Sequence, residues 1–203
     1  MPLIKLNNRS IKDVTSLPFG VGNLIHIQSQ TASNSASISF TTGINSTYKE
    51  YQFWCINCHP ATNDVFLTFN LSTDGGSNYN VTKTSTSFIA YLNEAGSDGG
   101  LQYQGGSDLA QSTSYQILTE GIGNTNDDHG SGILQLFNPA STTYVKHFIG
   151  NFEKSNGTGY SVNSYTAGYG NTTSAINAVR FQMSSGNFDG IDAKKLAEKI
   201  LNL

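Results

Sequence analysis

The chain has 203 residues, a mass of 21.8 kDa and a formal net charge of −3, the size of one domain able to bury a substantial core. Its 11 Lys and Arg are spread along the chain and leave no basic stripe to release counterions from a nucleic acid. No window approaches the roughly 20 apolar residues that a membrane-spanning helix needs, so neither nucleic acid nor membrane is expected as a partner.

Ser, Thr, Asn and Gly supply 24, 20, 21 and 21 residues. These are turn formers and strand hydroxyls, and the chain is poor in the Ala, Leu, Glu and Lys that fill helices. An all-β fold is expected. Residues 1–16 mix Lys5, Arg9 and Lys12 with isolated apolar side chains and lack the apolar run of a cleaved secretory signal. They read as an extended N-terminal arm on a protein that is soluble and not exported by such a signal.

From 17 to 188 the pattern has period two and predicts one β-sandwich domain. Short alternating runs occur at 24–28, 36–40, 51–57, 65–72, 87–92, 114–121, 132–138, 143–152, 159–167 and 176–184. In VFLTFNLS, Val65, Leu67, Phe69 and Leu71 alternate with Phe66, Thr68, Asn70 and Ser72, and TDGGSN follows as a turn. Nine or ten strands separated by Gly, Asn and Ser turns suggest an antiparallel two-sheet sandwich or jelly roll. The segment 189–203, DGIDAKKLAEKILNL, breaks the pattern and predicts a short amphipathic helix capped by Asp192. Its stripe of Ala193, Leu196, Ile200 and Leu203 is too short to be stable alone. The stripe is therefore expected to dock on its own sandwich or on a neighbouring subunit, with Leu196, Ile200 and Leu203 as assembly residues.

Cys55-Ile56-Asn57-Cys58-His59 matches the C-x-x-C-H pattern of c-type haem attachment. A regular strand through these residues would send the two thiols to opposite faces, roughly 10 Å apart along the chain, which defeats a shared ligand and a disulfide. Buried structural thiols and no cofactor are expected. In NTNDDHGSG, Asp127 and Asp128 are weak candidates for a hard cation, without the spacing of a calcium loop. Otherwise no metal is expected. The four histidines show no grouping, and no nucleophile elbow or phosphate loop is present, so no catalytic residues are assigned and no enzyme is expected. In TGYSVNSYTAGYG, Tyr160, Tyr165 and Tyr169 are candidates for sugar stacking. Tyr160 and Tyr165, five apart, would face opposite sides of a regular strand.

The stretches SLPFGVGNLIHIQSQTASNSASISF, INSTYKEYQFWCINCHPATNDVFLTFNLSTDGGSNYN and AINAVRFQMSSGNFDG resemble a group of small structural proteins of tailed bacteriophages of marine and freshwater bacteria, including cyanophages. The resemblance covers about residues 17–190. It implies a jelly-roll-like protein on the virion surface, made in the bacterial host cytoplasm, that decorates the capsid or forms part of a tail appendage. It also implies capsid or tail proteins as partners, and a homo-oligomer, by analogy a trimer. His59-Pro60-Ala61-Thr62-Asn63 then reads as a strand-to-strand turn, with Cys55 and Cys58 as local substitutions. Such relatives are expected to add one more strand after SSGNFDG, where this chain continues into IDAKKLAEKILNL, leaving that strand absent or supplied from elsewhere. The alternative function is a glycan-binding receptor-recognition module of a tail fibre or appendage.

Overall fold

The computed structural model describes residues 24–198. The expected arm, and Ile200 and Leu203 of the expected stripe, lie outside them. The described residues form twelve strands: β1 (Leu24–Ala32), β2 (Ile38–Phe40), β3 (Glu50–Pro60), β4 (Val65–Ser72), β5 (Lys83–Asn93), β6 (Gly99–Tyr103), β7 (Gln116–Ile122), β8 (Gly130–Phe137), β9 (Lys146–Asn156), β10 (Tyr160–Gly170), β11 (Ala178–Met183) and β12 (Phe188–Glu198). They make two antiparallel sheets, an eight-stranded one ordered β1-β12-β3-β8-β9-β10-β5-β6 and a four-stranded one ordered β2-β11-β4-β7. Each run of alternating residues in the sequence overlaps one of these strands, with ends that differ by up to four residues.

Alternation explains why the sheets meet. Phe40, Phe69 and Phe181 on the small sheet and Phe53 and Phe148 on the large one are at most 1% exposed. Their rings interlock across the sandwich, with centroids 5.5 Å apart for Phe40 and Phe53, 5.8 Å for Phe53 and Phe181, and 5.1 Å for Phe69 and Phe148. These are the tilted and edge-on packings that aromatic rings prefer. The expected turn after β4 forms around Asp74, whose carboxylate accepts from the Asn78 backbone N–H at 2.9 Å and the Asn78 side-chain amide at 2.7 Å. Those bonds, with one from Ser72, hold its pKa at about 2, so this carboxylate serves the turn.

Four lysines point inward from the large sheet. Lys83, Lys146 and Lys195 are fully buried and Lys154 nearly so, and each ammonium donates to a backbone carbonyl. Lys83 Nζ donates to Val81 O at 2.8 Å and Asn70 Oδ1 at 2.6 Å, Lys146 Nζ to Tyr144 O at 2.6 Å, and Lys154 Nζ to Gly121 O at 2.8 Å. Lys195 Nζ reaches Thr42 O and Gln28 Oε1. Burial lowers the pKa of all four, Lys83 to about 7 and Lys195 to about 8.

Two expectations are corrected. The segment read as the start of a helix is strand β12, at least to Glu198, inserted between β1 and β3 and paired with both. Ile191, Ala193 and Lys195 alternate into the core, so pairing on both flanks overrides a composition that favours helix. Leu196 pairs with His26 and Gln52 and belongs to no helical stripe. The strand that the chain was expected to lack is thus its own. The strand count also rises above nine or ten, because β6 and β12 carry no alternation that stands out in the sequence.

Candidate functional site

The C-x-x-C-H segment lies in β3 and is bent by a bulge. Cys55 pairs with Gly132 and Cys58 with Gly130, so Ile56 and Asn57 together face the single residue Ser131. Asn57 takes φ +53° and its N–H donates to Ser131 Oγ at 3.0 Å. The extra residue brings Cys58 back to the side of Cys55, and the expectation of opposite faces is overturned. Both thiols are free and 0% exposed. Burial first, and then the adjacent Cys55 thiol, push the Cys58 thiol well above its ordinary value. His59 turns to the surface, its Nε2 3.0 Å from Thr125 O and its Nδ1 3.4 Å from Asp189 Oδ2. Thiols closed in the core cannot bond a porphyrin edge while the next imidazole serves a loop. Purified protein should be colourless, with no pyridine-haemochrome signal. Both thiols should resist a disulfide reagent when folded and titrate fully after denaturation without reductant; a retained haem would overturn this account of β3.

Asp127 and Asp128 do come together. The Thr125 hydroxyl lies 2.9 Å from Asp127 Oδ1 and 2.6 Å from Asp128 Oδ2. Asp128 is buried beside the Lys154 ammonium, which also feels Asp64 and Glu120. Among the described residues no group of three or more His, Cys, Asp or Glu is placed to hold a metal ion. The charge that faces Asp128 is a lysine of the same chain.

The three tyrosines divide between the faces of the large sheet. Tyr160 faces inward on β10 beside Val162 and Ser164, whereas Tyr165 and Tyr169 face outward. Tyr165 stacks on Phe88 of β5 at 4.9 Å and 10°, and Tyr169 lies 6.3 Å from His147. No single glycan site unites them.

Tyr165 belongs instead to an apolar patch on the uncovered face. Strand register aligns Tyr103, Phe88, Tyr165, Asn151, Ile133 and Trp54 in one row across five junctions, from β6 to β3. Leu92, Leu101 and Ile149 flank it. Among the described residues eight large apolar side chains are exposed, and six of them cluster on β5, β6, β9 and β10 of this face: Leu101 at 74%, Tyr103 at 57%, Leu92, Ile149, Phe88 and Tyr165. The composition of single strands hides this patch, because it arises only where β9, β10, β5 and β6 are set side by side.

The inner face of the same strands holds a cleft. β7 ends the small sheet and packs over β9 and β10, and the small sheet reaches β5 near its start, where Lys83 Nζ meets Asn70 Oδ1 of β4 and Ser85 Oγ donates to Gln116 Oε1 of β7 at 2.5 Å. The loop after β6 covers the same half of β5, with Ser85 N–H donating to Leu109 O and Leu109 N–H donating back to Ser85 Oγ, both at 2.9 Å. The other half stays open as a cleft of about 330 Å³, floored by Ile89 and Val162. Its rim carries Tyr91, Tyr160, Asp98, Gln102, Gln104 and Glu120. The Tyr160 hydroxyl donates to Asp98 Oδ2 at 2.9 Å, a bond that raises the pKa of the phenol. Burial raises the Glu120 carboxyl, with Lys154 acting against it. Tyr91 and Gln102 had no motif to mark them; the pairing of β5 with β10 and with β6 makes them neighbours of Tyr160, and the narrower small sheet leaves them uncovered.

Comparison with protein-family models, with curated proteins and with solved structures found no match to this chain.

Proposed function

We propose that this chain is a non-enzymatic, jelly-roll-like structural module of a tailed-phage virion, held at the virion surface by the outward face of its eight-stranded sheet. The observation that carries the reading is the row from Tyr103 to Trp54 with the exposed Leu92, Leu101 and Ile149 beside it. A monomer rarely leaves so many large apolar side chains contiguous and wet, and covering them is what such patches are for. The resemblance over about residues 17–190 supplies the phage context. Attachment passes from the expected helix to this sheet face, because Leu196 lies in β12. The partner is a second copy of the chain in a closed ring, a trimer by analogy, seated on capsid or tail proteins.

Light scattering on the purified protein should give a trimer, and Leu101→Asp with Ile149→Asp should give a monomer with the same β circular-dichroism spectrum. A chain that is monomeric at high concentration and binds neither capsids nor tail assemblies of tailed phages sinks the reading.

A further inference from the structure

We propose that the inner-face cleft between β7 and β6 is a binding site for a neutral saccharide, a mono- or disaccharide unit. This stands apart from the assembly reading, which concerns the opposite face. The two faces can be disabled separately.

The cleft volume of about 330 Å³ falls in the range of small-molecule sites. Its chemistry is specific. A sugar ring presents C–H groups on its faces and hydroxyls around its edge, so it needs an aromatic surface together with side chains that both donate and accept. Tyr91 and Tyr160 supply that surface, with ring centroids 6.2 Å apart and planes tilted by 54°. The Asp98 bond fixes the Tyr160 ring in place and leaves Asp98 Oδ1 for a ligand hydroxyl. Gln102, Gln104 and Glu120 stand at the mouth. Among the described residues no side-chain hydrogen bond is formed by Gln102, Gln104 or Glu120. An amide gives a donor and an acceptor to neighbouring hydroxyls, and a carboxylate accepts from two. Each of these groups loses its hydration when a ligand enters and regains a partner only if the ligand is polyhydroxylated.

A cationic amine would also suit two tyrosines with two carboxylates, but two features disfavour it. The tilted rings form no box around a point charge, and the Lys154 ammonium is built into the wall beside Glu120. A neutral ligand meets neither obstacle.

Saturation-transfer NMR and titration calorimetry on the full chain, with cellobiose, lactose, maltose and N,N′-diacetylchitobiose as neutral probes and choline as the cationic one, decide the matter. Saturable binding of at least one disaccharide is expected, weakened at least tenfold by Tyr91→Ala and by Gln102→Ala, with choline inert. Gln102 is exposed, so its truncation tests the site even if Tyr91→Ala fails to fold. Leu101→Asp with Ile149→Asp should leave sugar binding intact. The proposal is overturned if none of the four sugars binds, if binding survives Gln102→Ala undiminished, or if choline binds in their place.

Discussion

Phe181→Ala is expected to lower the folding free energy by about 3–5 kcal/mol, the cost of removing a large aromatic side chain from a closed core. Phe181 is 0% exposed on β11 and touches rings on both sheets: Phe53 at 5.8 Å, Phe69 at 6.4 Å and Phe40 at 6.5 Å. The neighbours that could collapse into the space sit on strands fixed by pairing, β11 itself being held between β2 and β4. Little relaxation is available, so most of the cavity should persist. Urea denaturation should show the midpoint falling with an unchanged slope. Thr173→Ala, on an exposed loop, should stay within about 0.5 kcal/mol of the parent. A loss below about 1 kcal/mol for Phe181→Ala would mean that the sheets do not meet at this ring.

Stability should rise between pH 7 and pH 9, by about 2 kcal/mol from Lys83 alone. Lys83 titrates at about 7 in the folded chain, against 10.5 for an ordinary lysine, because it is buried. Below pH 7 it is charged in both states and the folded state carries the full desolvation penalty. Above pH 7 the folded state releases the proton while the unfolded chain keeps it up to about pH 10.5, so raising the pH favours folding across that window. Lys195, at about 8 when folded, acts in the same direction. Cys58, held protonated by burial, acts oppositely above the ordinary thiol value of 9.0, which sets the upper limit. Melting temperature measured against pH should climb by several degrees over the window. Lys83→Met should flatten the climb. A parent curve that falls from pH 7 to pH 9 would show that Lys83 is solvated.

Period-two reading located the strands because half-buried strands must alternate, as on β8, where Leu134 and Leu136 face the core and Ile133 and Gln135 lie on the outer side. It failed where burial is not written as apolarity. On β12 the inward position that follows Ile191 and Ala193 is Lys195, whose stem fills core space while its ammonium finds Thr42 O. In the sequence it counts as a polar residue on a helix surface. β6, Gly99–Tyr103, is exposed throughout, and two glycines give no alternation to read. The bulge at Asn57 is also silent, since a positive φ at a residue other than glycine leaves no compositional mark. It nevertheless decides on which side Cys58 lies. Of the candidate site only Tyr160 was legible, because a cleft made by one sheet outreaching another belongs to no segment of the chain.

The order of the large sheet has a consequence for how the molecule comes into being. Among the described residues β1 is bonded only to β12, and Thr31 Oγ1 donates to Asp192 Oδ1 across 161 positions. During synthesis β1 therefore emerges long before its partner strand and must wait for that pairing until residues beyond 188 have been made. β3 waits for the same segment on one flank. Distant pairings of this kind slow folding and leave strand edges exposed to other nascent chains. The hazard is greatest when many copies are made at once.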